Sequence, residues 1–227
     1  MEHLSTTQRR SLKAAIVFMI GLAIACLLGA APFFEDAFNE ENLAKRHNIE
    51  KPKHQSATTQ YVKGDLRHEV PTSLEEVTVA RIIDGDTIVI KNKDGEFQDI
   101  RLIGINAPES ISGDESSNTP EGYEATDHLK KILPINDKVY LQCDTEHTDE
   151  YGRHLRYVWL FPPLDFTDPS EVKAKMLNAH ILDDGYAVAH KFRPNDAYFD
   201  IFKAFQIDAL HDKRGLWQNG VDWAQTA

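Results

Sequence analysis

The fold is decided by residues 83–109, which read IDGDTIVIKNKDGEFQDIRLIGINAPE. Apolar and β-branched residues alternate with polar ones over residues 75–83, 87–91 and 98–105, a pattern typical of strands. The Asp-Gly pair that ends at Gly95 is hairpin-turn chemistry, because glycine readily adopts a positive φ. The stretch and the residues just before it therefore predict three consecutive strands in an antiparallel meander.

A helix and two more strands are predicted to follow. The helix begins at Thr119, a capping hydroxyl followed by a proline at the first helical position, and it stops before Pro134. The two strands cover residues 138–144 and 153–161. Three strands, an inserted helix and two strands is the element order of a small closed barrel of the OB type.

Two further helices are predicted near the C-terminal end. Residues 171–184 place apolar side chains on one helical face, with Gly185 as the C-cap. The last helix is capped by Asn195 or Asp196 and runs to about residue 214, and Trp217 is expected to pack back on the body. The fold class predicted is α+β: a five-stranded OB-type β-barrel with three helices, preceded by one N-terminal transmembrane or signal helix.

The composition indicates a globular body with an acidic surface. The chain has 227 residues, is 41% hydrophobic and 27% charged, and carries a formal net charge of −11. Bulk electrostatics therefore do not favour binding to nucleic acid, and a phosphodiester substrate would have to be met by local arginines or a metal ion. Cys26 lies in an apolar run and Cys143 in a predicted strand, so a disulfide scaffold is excluded.

The N-terminal part contains a candidate membrane segment, because residues 14–34 carry no charge. At about 1.5 Å per residue, a helix of this length spans the ~30 Å hydrocarbon core of a bilayer. Basic residues precede the segment and acidic residues follow it, so the positive-inside rule places the N-terminus in the cytoplasm and the body in the periplasm or at the cell surface. An uncleaved anchor is favoured over a cleaved signal peptide and over lipoprotein-like cleavage before Cys26, because the apolar run is long and both cleavage sites fit poorly. Cleavage would yield a secreted protein.

These observations divide the chain into five segments. They are a basic cytoplasmic segment (1–13), the anchor or signal segment (14–34), a polar linker (35–73), the folded domain (74–219) and a C-terminal tail (220–227).

Four charged residues in this frame suggest a site and not merely a core. Asp86, in an acidic turn, offers a hard carboxylate oxygen. Arg101 lies inside an apolar strand, and Arg153 follows a turn glycine; a guanidinium can donate two parallel hydrogen bonds to an oxyanion. Glu109, directly after a proline, offers a carboxylate that can accept a proton.

Four blocks of sequence in register resemble the staphylococcal nuclease (thermonuclease-like) family. They are IDGDTIVI, RLIGINAPE, DEYGRHLRYVWL and the pair AHKFRPND and KRGLWQ. The resemblance covers residues 75–219 and implies a five-stranded OB barrel with three helices. It also implies calcium-dependent cleavage of phosphodiester bonds in DNA and RNA.

The same resemblance assigns roles by position. It implies Asp86, Asn106 and the backbone carbonyl of Ala107 as ligands of the ion. Arg101 and Arg153 correspond to the phosphate-binding arginines, and Glu109 to the general base or water-positioning residue. Loop residues near the site and positions that contact the nucleotide are implied at Asp149, Tyr151, His190 and Phe192.

Asn106 departs from the family pattern, which has a carboxylate at this position. An amide oxygen can ligate calcium but contributes no charge, so weaker ion binding is expected unless another carboxylate compensates. Simpler interpretations also exist for single residues. Asp84 and Asp86 could be turn residues, Arg101 could form a plain ion pair with Asp86, and Arg153 could be a surface charge. Together the sequence blocks favour the site for Asp86 and the turn for Asp84.

Two functional hypotheses follow, with a weaker third. The first is a nuclease, probed by the loss of turnover expected on changing Glu109 or Arg153. The second is a catalytically weakened OB-fold module that binds nucleic acid or a protein partner, supported by Asn106 and by the acidic body. The third is a cell-surface structural protein. The partners predicted are a DNA or RNA substrate and the membrane through residues 14–34, with no obligate protein partner evident.

Overall fold

The computed structural model describes residues 66–110, 118–225 and 227. Its main elements, in chain order, are β1 (Glu75–Ile82), β2 (Thr87–Lys91), β3 (Phe97–Leu102), β4 (Ile105–Asn106), α1 (Pro120–Ile132), β5 (Lys138–Gln142), β6 (His154–Trp159), α2 (Pro169–Lys175), α3 (Leu177–Asp183), β7 (Val188–Ala189) and α4 (Phe199–His211). Two 3₁₀ helices follow, Gly215–Asn219 and Asp222–Gln225.

Five strands close into a barrel in the order β1-β2-β3-β6-β5. β1 pairs with β5 over Glu75–Thr78 and with β2 over Thr78–Ile82, and its register against β2 shifts between Val79 and Arg81. β3 and β6 are parallel and the other pairs are antiparallel. Val79, Ile88 and Ile100 are fully buried inside. The barrel predicted from strand alternation is confirmed, as is the α+β class.

The predicted strand over residues 98–105 is wrong in its C-terminal half. β3 ends at Leu102, and β4 pairs with β7 in a separate two-stranded sheet. The chain turns at Gly104, which has φ of +81° and lies so close to the Phe202 ring that a Cβ there would be 2.6 Å from it. This turn carries the chain out of the barrel and places Asn106 beside Arg101.

The prediction of three helices is also wrong, because the described residues contain four α-helices. Residues 171–184 do not form one helix: Met176, with φ of −96° and ψ of 124°, separates α2 from α3. Met176 forms a β-bridge with Trp159, and Lys175 accepts a 2.7 Å hydrogen bond from the backbone of Leu160. Backbone pairing with the end of β6 therefore outweighs the helical pattern.

The start of α1 is as the sequence predicts. Thr119 caps the helix by accepting a 3.0 Å hydrogen bond from the backbone of Gly122, and Pro120 occupies the first turn. By contrast, α4 starts at Phe199 with no side-chain cap, so the predicted cap at Asn195 or Asp196 is wrong. Asn195 instead exchanges hydrogen bonds with the backbone of Glu146.

Both ends of the described chain pack on the barrel unit. Trp217 is buried as expected, and its ring lies 4.5 Å from that of Trp223, which also is buried. Residues 66–73, the end of the predicted linker, contact the body through hydrogen bonds that include Gln142 to the carbonyl of Pro71.

Among the residues that the structure describes, no helix has the length and apolarity needed to cross a bilayer. The predicted segment 14–34 lies outside them.

Candidate active site

Asp86 lies at the centre of a group of polar contacts at one end of the barrel. The turn between β1 and β2 presents its buried carboxylate to the segment after β4. Oδ2 accepts a 2.8 Å hydrogen bond from the backbone of Ala107 and lies 3.0 Å from Arg101 Nη2. Gly85 makes this approach possible, because a Cβ there would be 2.6 Å from the Cβ of Ala107.

Arg101 is buried and joins Asp86 to Asn106. Its Nη2 donates a 2.6 Å hydrogen bond to Asn106 Oδ1, and its Nη1 donates to the carbonyls of Leu102 and Ile105. These hydrogen bonds and the ion pair with Asp86 occupy both Nη atoms. Arg101 therefore contributes its positive charge to the site, but its fork is engaged by the protein itself. The sequence suggested either a phosphate-binding arginine or a plain ion pair, and this arrangement contains the ion pair.

Glu109 reaches the same region from the loop between β4 and α1. The carboxylate is exposed to solvent on one side. Partial desolvation and the nearby charge of Asp86 raise its pKa, whereas Arg101 and Arg153 oppose the rise. Helix α1 packs directly behind this loop: a Cβ on Gly122 would lie 2.0 Å from the carbonyl oxygen of Glu109. The start of α1 thereby fixes the backbone that carries Glu109.

Asp84 belongs to this acidic group, although the sequence favoured a turn role for it. Its Oδ1 does accept a 3.0 Å hydrogen bond from the backbone of Asp86, which is the expected turn contact. Its pKa is nevertheless raised to about 6, first by burial and then by the negative charges of Asp86 and Glu109. Strand alternation could not reveal this, because the proximity of Glu109 depends on the turn after β3.

Arg153 is positioned by Asp149, four residues earlier in the loop between β5 and β6. Arg153 Nε donates a 2.7 Å hydrogen bond to Asp149 Oδ2, while Asp149 Oδ1 accepts from the backbone of Tyr151 and of Arg153. The bond uses Nε; within the described part of the chain Nη1 and Nη2 have no hydrogen-bond partner, so both can donate to a phosphate. The exposed Tyr151 ring lies 5.5 Å from the guanidinium carbon. Asp149 is thus the residue that sets the direction of the Arg153 side chain.

His190 and Phe192 border Arg101 from the segment after β7. The Phe192 ring lies 5.2 Å from the Arg101 guanidinium carbon, and the His190 ring is 4.7 Å from that of Phe192. Partial desolvation and then Arg101 lower the pKa of His190, and Asp86 opposes this. The structure therefore brings both residues to the edge of the site.

The oxygen atoms at the site fit a hard divalent cation that takes only some of its ligands from side chains. Asp86 Oδ2 and Asn106 Oδ1 both contact one nitrogen of Arg101. Burial first, and then the negative charges of Asp86 and Glu109, raise the pKa of Asp84, and a cation would relieve the repulsion between these carboxylates. In the described residues, no three His, Cys, Asp or Glu side chains are grouped so that they could hold a metal ion. Backbone carbonyls, Asn106 and water would have to complete the shell, as is common for calcium and magnesium.

Comparison with known proteins agrees with these observations. The sequence model of the family described as Staphylococcal nuclease homologue matches residues 99–219. The chain is 37% identical to the thermonuclease of Staphylococcus hyicus over 141 residues. These residues are 62% of this chain and 75% of that relative. It is 34% identical over 162 residues to the thermonuclease of Staphylococcus intermedius, covering 70% and 88% respectively.

A third relative extends further along the chain. Endonuclease YncB of Bacillus subtilis is 28% identical over 211 residues, which is 91% of this chain and 92% of the relative. The barrel, the acidic turn with its two arginines, and a family match over more than half of the residues lead to one conclusion. This chain belongs to the staphylococcal nuclease family.

Proposed function

We propose that the chain is a nuclease, a hydrolase that cleaves phosphodiester bonds of DNA, RNA or both within the strand. The observation that carries this proposal is the convergence of Asp86, Arg101, Glu109 and Arg153 at one end of the barrel. Asp86 contacts Arg101 directly, and Glu109 is close enough to Asp86, Arg101 and Arg153 for their charges to shift its pKa.

Arg153 would bind the phosphate, and both arginines would stabilise the charge that develops on it. The outer nitrogens of Arg153 can donate two parallel hydrogen bonds, because Asp149 holds only Nε. Arg101 supplies a fixed positive charge in a buried setting, where electrostatic interactions are strong. Preorganised charge of this kind is usually the largest single contribution to catalysis.

Glu109 would accept the proton of the attacking water. A general base works best when its pKa lies near the working pH, and the environment of Glu109 raises its pKa in that direction. As the water oxygen bonds to phosphorus, its proton moves to Glu109, the bond to the leaving oxygen breaks, and that oxygen takes the bonding electron pair and a proton from solvent. The carboxylate must be ionised for this step, so activity is expected to fall as the pH drops below that raised pKa.

We propose calcium as the cofactor, held by Asp86, Asn106 and the carbonyl of Ala107, with Asp84 supplying charge that Asn106 lacks. When bound, such an ion neutralises phosphate charge and stabilises the transition state as a Lewis acid. Asp84 carries a second negative charge beside Asp86, which is the compensation that the amide at 106 requires. Magnesium also prefers oxygen ligands, but it requires a coordination geometry closer to an ideal octahedron.

The test is digestion of supercoiled plasmid and of single-stranded RNA by the full chain with calcium, with magnesium and with EDTA. A metal-dependent nuclease nicks or linearises the plasmid with the ion and not with EDTA. Glu109→Gln and Arg153→Ala should each lower turnover by about 10²–10³. Binding without cleavage by a folded protein would instead support the alternative, an OB-fold binding module, to which the engaged fork of Arg101 and the uncharged Asn106 lend some support.

We also propose that the nuclease domain acts outside the cytoplasm, attached to the membrane by residues 14–34. The support is the uncharged length of this segment and the basic residues before it. Protease added to spheroplasts, in which the cytoplasmic membrane is intact and the periplasm is open, should digest the domain, and membrane fractionation should separate an anchored chain from a secreted one. A chain that is protected in spheroplasts and digested only after they are lysed would contradict this placement.

A further inference from the structure

Residues 66–73, named here the N-terminal arm, lie along the barrel unit. The backbone of Arg67 donates a 3.1 Å hydrogen bond to the carbonyl of Ala197, and its side chain forms a 2.7 Å ion pair with Asp200. Further along, the carbonyl of Pro71 accepts a 2.9 Å hydrogen bond from Gln142. The arm is thus attached at two separate points, one near the start of α4 and one at the end of β5.

Between these two points, His68 contacts a buried carboxylate. His68 Nε2 lies 2.6 Å from Asp144 Oδ1, and the Asp144 side chain is only 1% exposed. A carboxylate at this depth needs hydrogen-bond partners, because an unsatisfied buried charge is costly. Among the partners of Asp144 in the described residues, only His68 belongs to the arm.

Asp144 connects several elements that lead to the active site. Oδ1 also accepts hydrogen bonds from the backbone and hydroxyl of Thr145, the third residue after β5 on the way to Asp149 and Arg153. Oδ2 accepts a 2.9 Å hydrogen bond from Tyr157 of β6. Burial and Asp144 raise the pKa of Tyr157, so its hydroxyl stays protonated and continues to donate.

The same region links the two loops that carry candidate site residues. Glu146, from the loop that holds Arg153, exchanges backbone hydrogen bonds of 2.7 and 2.9 Å with the side chain of Asn195. Asn195 lies three residues after Phe192, in the segment that borders Arg101. The Asp144 carboxylate sits at the base of this pair of loops, and His68 closes it from the arm side.

We propose that His68 is a positioning residue for Arg153, acting through Asp144 and the loop that begins at Thr145. This inference rests on the proposed nuclease function. With His68 in place, the Asp144 carboxylate is fixed where its Oδ1 holds Thr145; without His68 this buried carboxylate loses one partner, so it can shift and its hold on the start of the loop weakens. Through His68, the arm helps to place Arg153 and is not only a connection to the preceding chain.

The charges that face His68 are compatible with this contact. Besides Asp144, His68 Nδ1 lies 3.8 Å from Asp196 Oδ1. Asp196 in turn pairs with Arg67 at 3.6 Å and with Lys191 at 3.5 Å. The pairs that Arg67 forms with Asp196 and Asp200 hold the arm without touching Asp144, so Arg67 offers a matched control for the His68 contact.

The experiment compares His68→Ala, His68→Gln and Arg67→Ala in the full chain. Turnover and KM are measured on plasmid DNA, hydrogen exchange on the peptides that span residues 144–153, and melting temperature on the whole protein. A positioning role predicts that His68→Ala lowers kcat about tenfold with KM within about twofold, because Arg153 acts in the transition state. Exchange in the loop should rise at least about threefold, while β1 to β3 stay unchanged.

The control variants decide between positioning and simple attachment. His68→Gln keeps a side-chain N–H donor and should restore at least about half of kcat, and Arg67→Ala should stay within about twofold of the wild type because exposed ion pairs contribute little. Wild-type kcat and loop exchange in His68→Ala would overturn the proposal, as would an equal loss in Arg67→Ala. If the wild type does not cleave nucleic acid, the proposed function fails, and the loop exchange of His68→Ala still decides whether His68 orders the loop.

Discussion

Arg101 donates a 2.6 Å hydrogen bond to Asn106, and the same Nη2 atom lies 3.0 Å from Asp86. One buried guanidinium therefore holds together the two side chains that the family resemblance implies as metal ligands. Because Asn106 is uncharged, this group contains one negative charge where a carboxylate at 106 would give two. In this group the positive charge of Arg101 is therefore balanced by Asp86 alone.

Asn106→Asp should tighten calcium binding on the order of tenfold, which corresponds to about 1.4 kcal/mol. The new carboxylate would add a charged oxygen ligand next to Asp86, and Arg101 can keep its hydrogen bond to it. Isothermal titration calorimetry with calcium alone measures the change. Asn219→Asp, at an exposed position in the first 3₁₀ helix, adds the same charge away from the site and should leave affinity unchanged.

An equal gain in both variants would mean that the net charge of the chain, and not ligation at position 106, determines affinity. No gain in Asn106→Asp would place the ion elsewhere.

Asp149 should matter for turnover only through Arg153. Asp149→Asn keeps an oxygen for the backbone N–H groups of Tyr151 and Arg153 but removes the charge that holds Arg153 Nε at 2.7 Å. We expect a loss in kcat of about tenfold, against about 10²–10³ for Arg153→Ala.

A double-mutant cycle on plasmid cleavage checks this coupling. In the Arg153→Ala background, Asp149→Asn should cost little more, because residues that act as one unit are not additive. If the two losses add, Asp149 acts independently of Arg153.

Gly122→Ala should impair the site although it changes a helix position. A Cβ there would lie 2.0 Å from the carbonyl oxygen of Glu109, so either α1 or the Glu109 loop must move. Displacement of a catalytic group by about 1 Å can cost on the order of 10² in rate. Plasmid cleavage and thermal melting are the measurements, and Lys131→Ala, at an exposed position of the same helix, is the control.

Gly122→Ala has two opposing effects on stability: the higher helix propensity of alanine and the steric clash with Glu109. Alanine favours a helix by about 1 kcal/mol over glycine, so a rise in melting temperature with full activity would show that the loop has room to adjust.

Much of the fold follows from local sequence rules, and the errors have a common cause. The hairpin at Gly95, with φ of +87°, and the cap at Thr119 depend on nearby residues alone, so the sequence predicts them. The break at Met176 depends on pairing with Trp159, which lies seventeen positions away and on another element. Helical periodicity carries no information about such a partner.

The candidate site also contains contacts that the sequence predicts and contacts that it does not. The family resemblance implies that Asp86, Arg101 and Asn106 belong together, and in the structure Arg101 forms an ion pair with Asp86 and a hydrogen bond with Asn106. The membership of Asp84 and the contact of His68 with Asp144 could not be predicted. They depend on a turn after β3 and on an approach between residues 76 positions apart.

Asp84→Asn should stabilise the metal-free protein at neutral pH. The folded state raises the pKa of Asp84 from 3.8 to about 6, so folding favours the protonated form. Stability from this group is fully present below about pH 4, the unfolded value, and is lost as the pH rises through about 6. The asparagine keeps an Oδ1 acceptor for the backbone of Asp86 and carries no charge at any pH. We expect a gain on the order of 1–2 kcal/mol above pH 7, or a rise in Tm of about 2–4 °C per kcal/mol, and no gain at pH 4.

Thermal melting in EDTA between pH 4 and pH 8 measures this gain, with Asp94→Asn in the exposed hairpin turn as the control. Calcium should reverse the order of the two proteins, because the wild-type carboxylate would then bind or neutralise the ion and the asparagine would not. A gain that is the same at pH 4 and pH 8 would show that the benefit of Asp84→Asn comes from packing or hydrogen bonding. In that case Asp84 is a turn residue, as the sequence favoured, and the charge it was expected to supply to the ion must come from elsewhere.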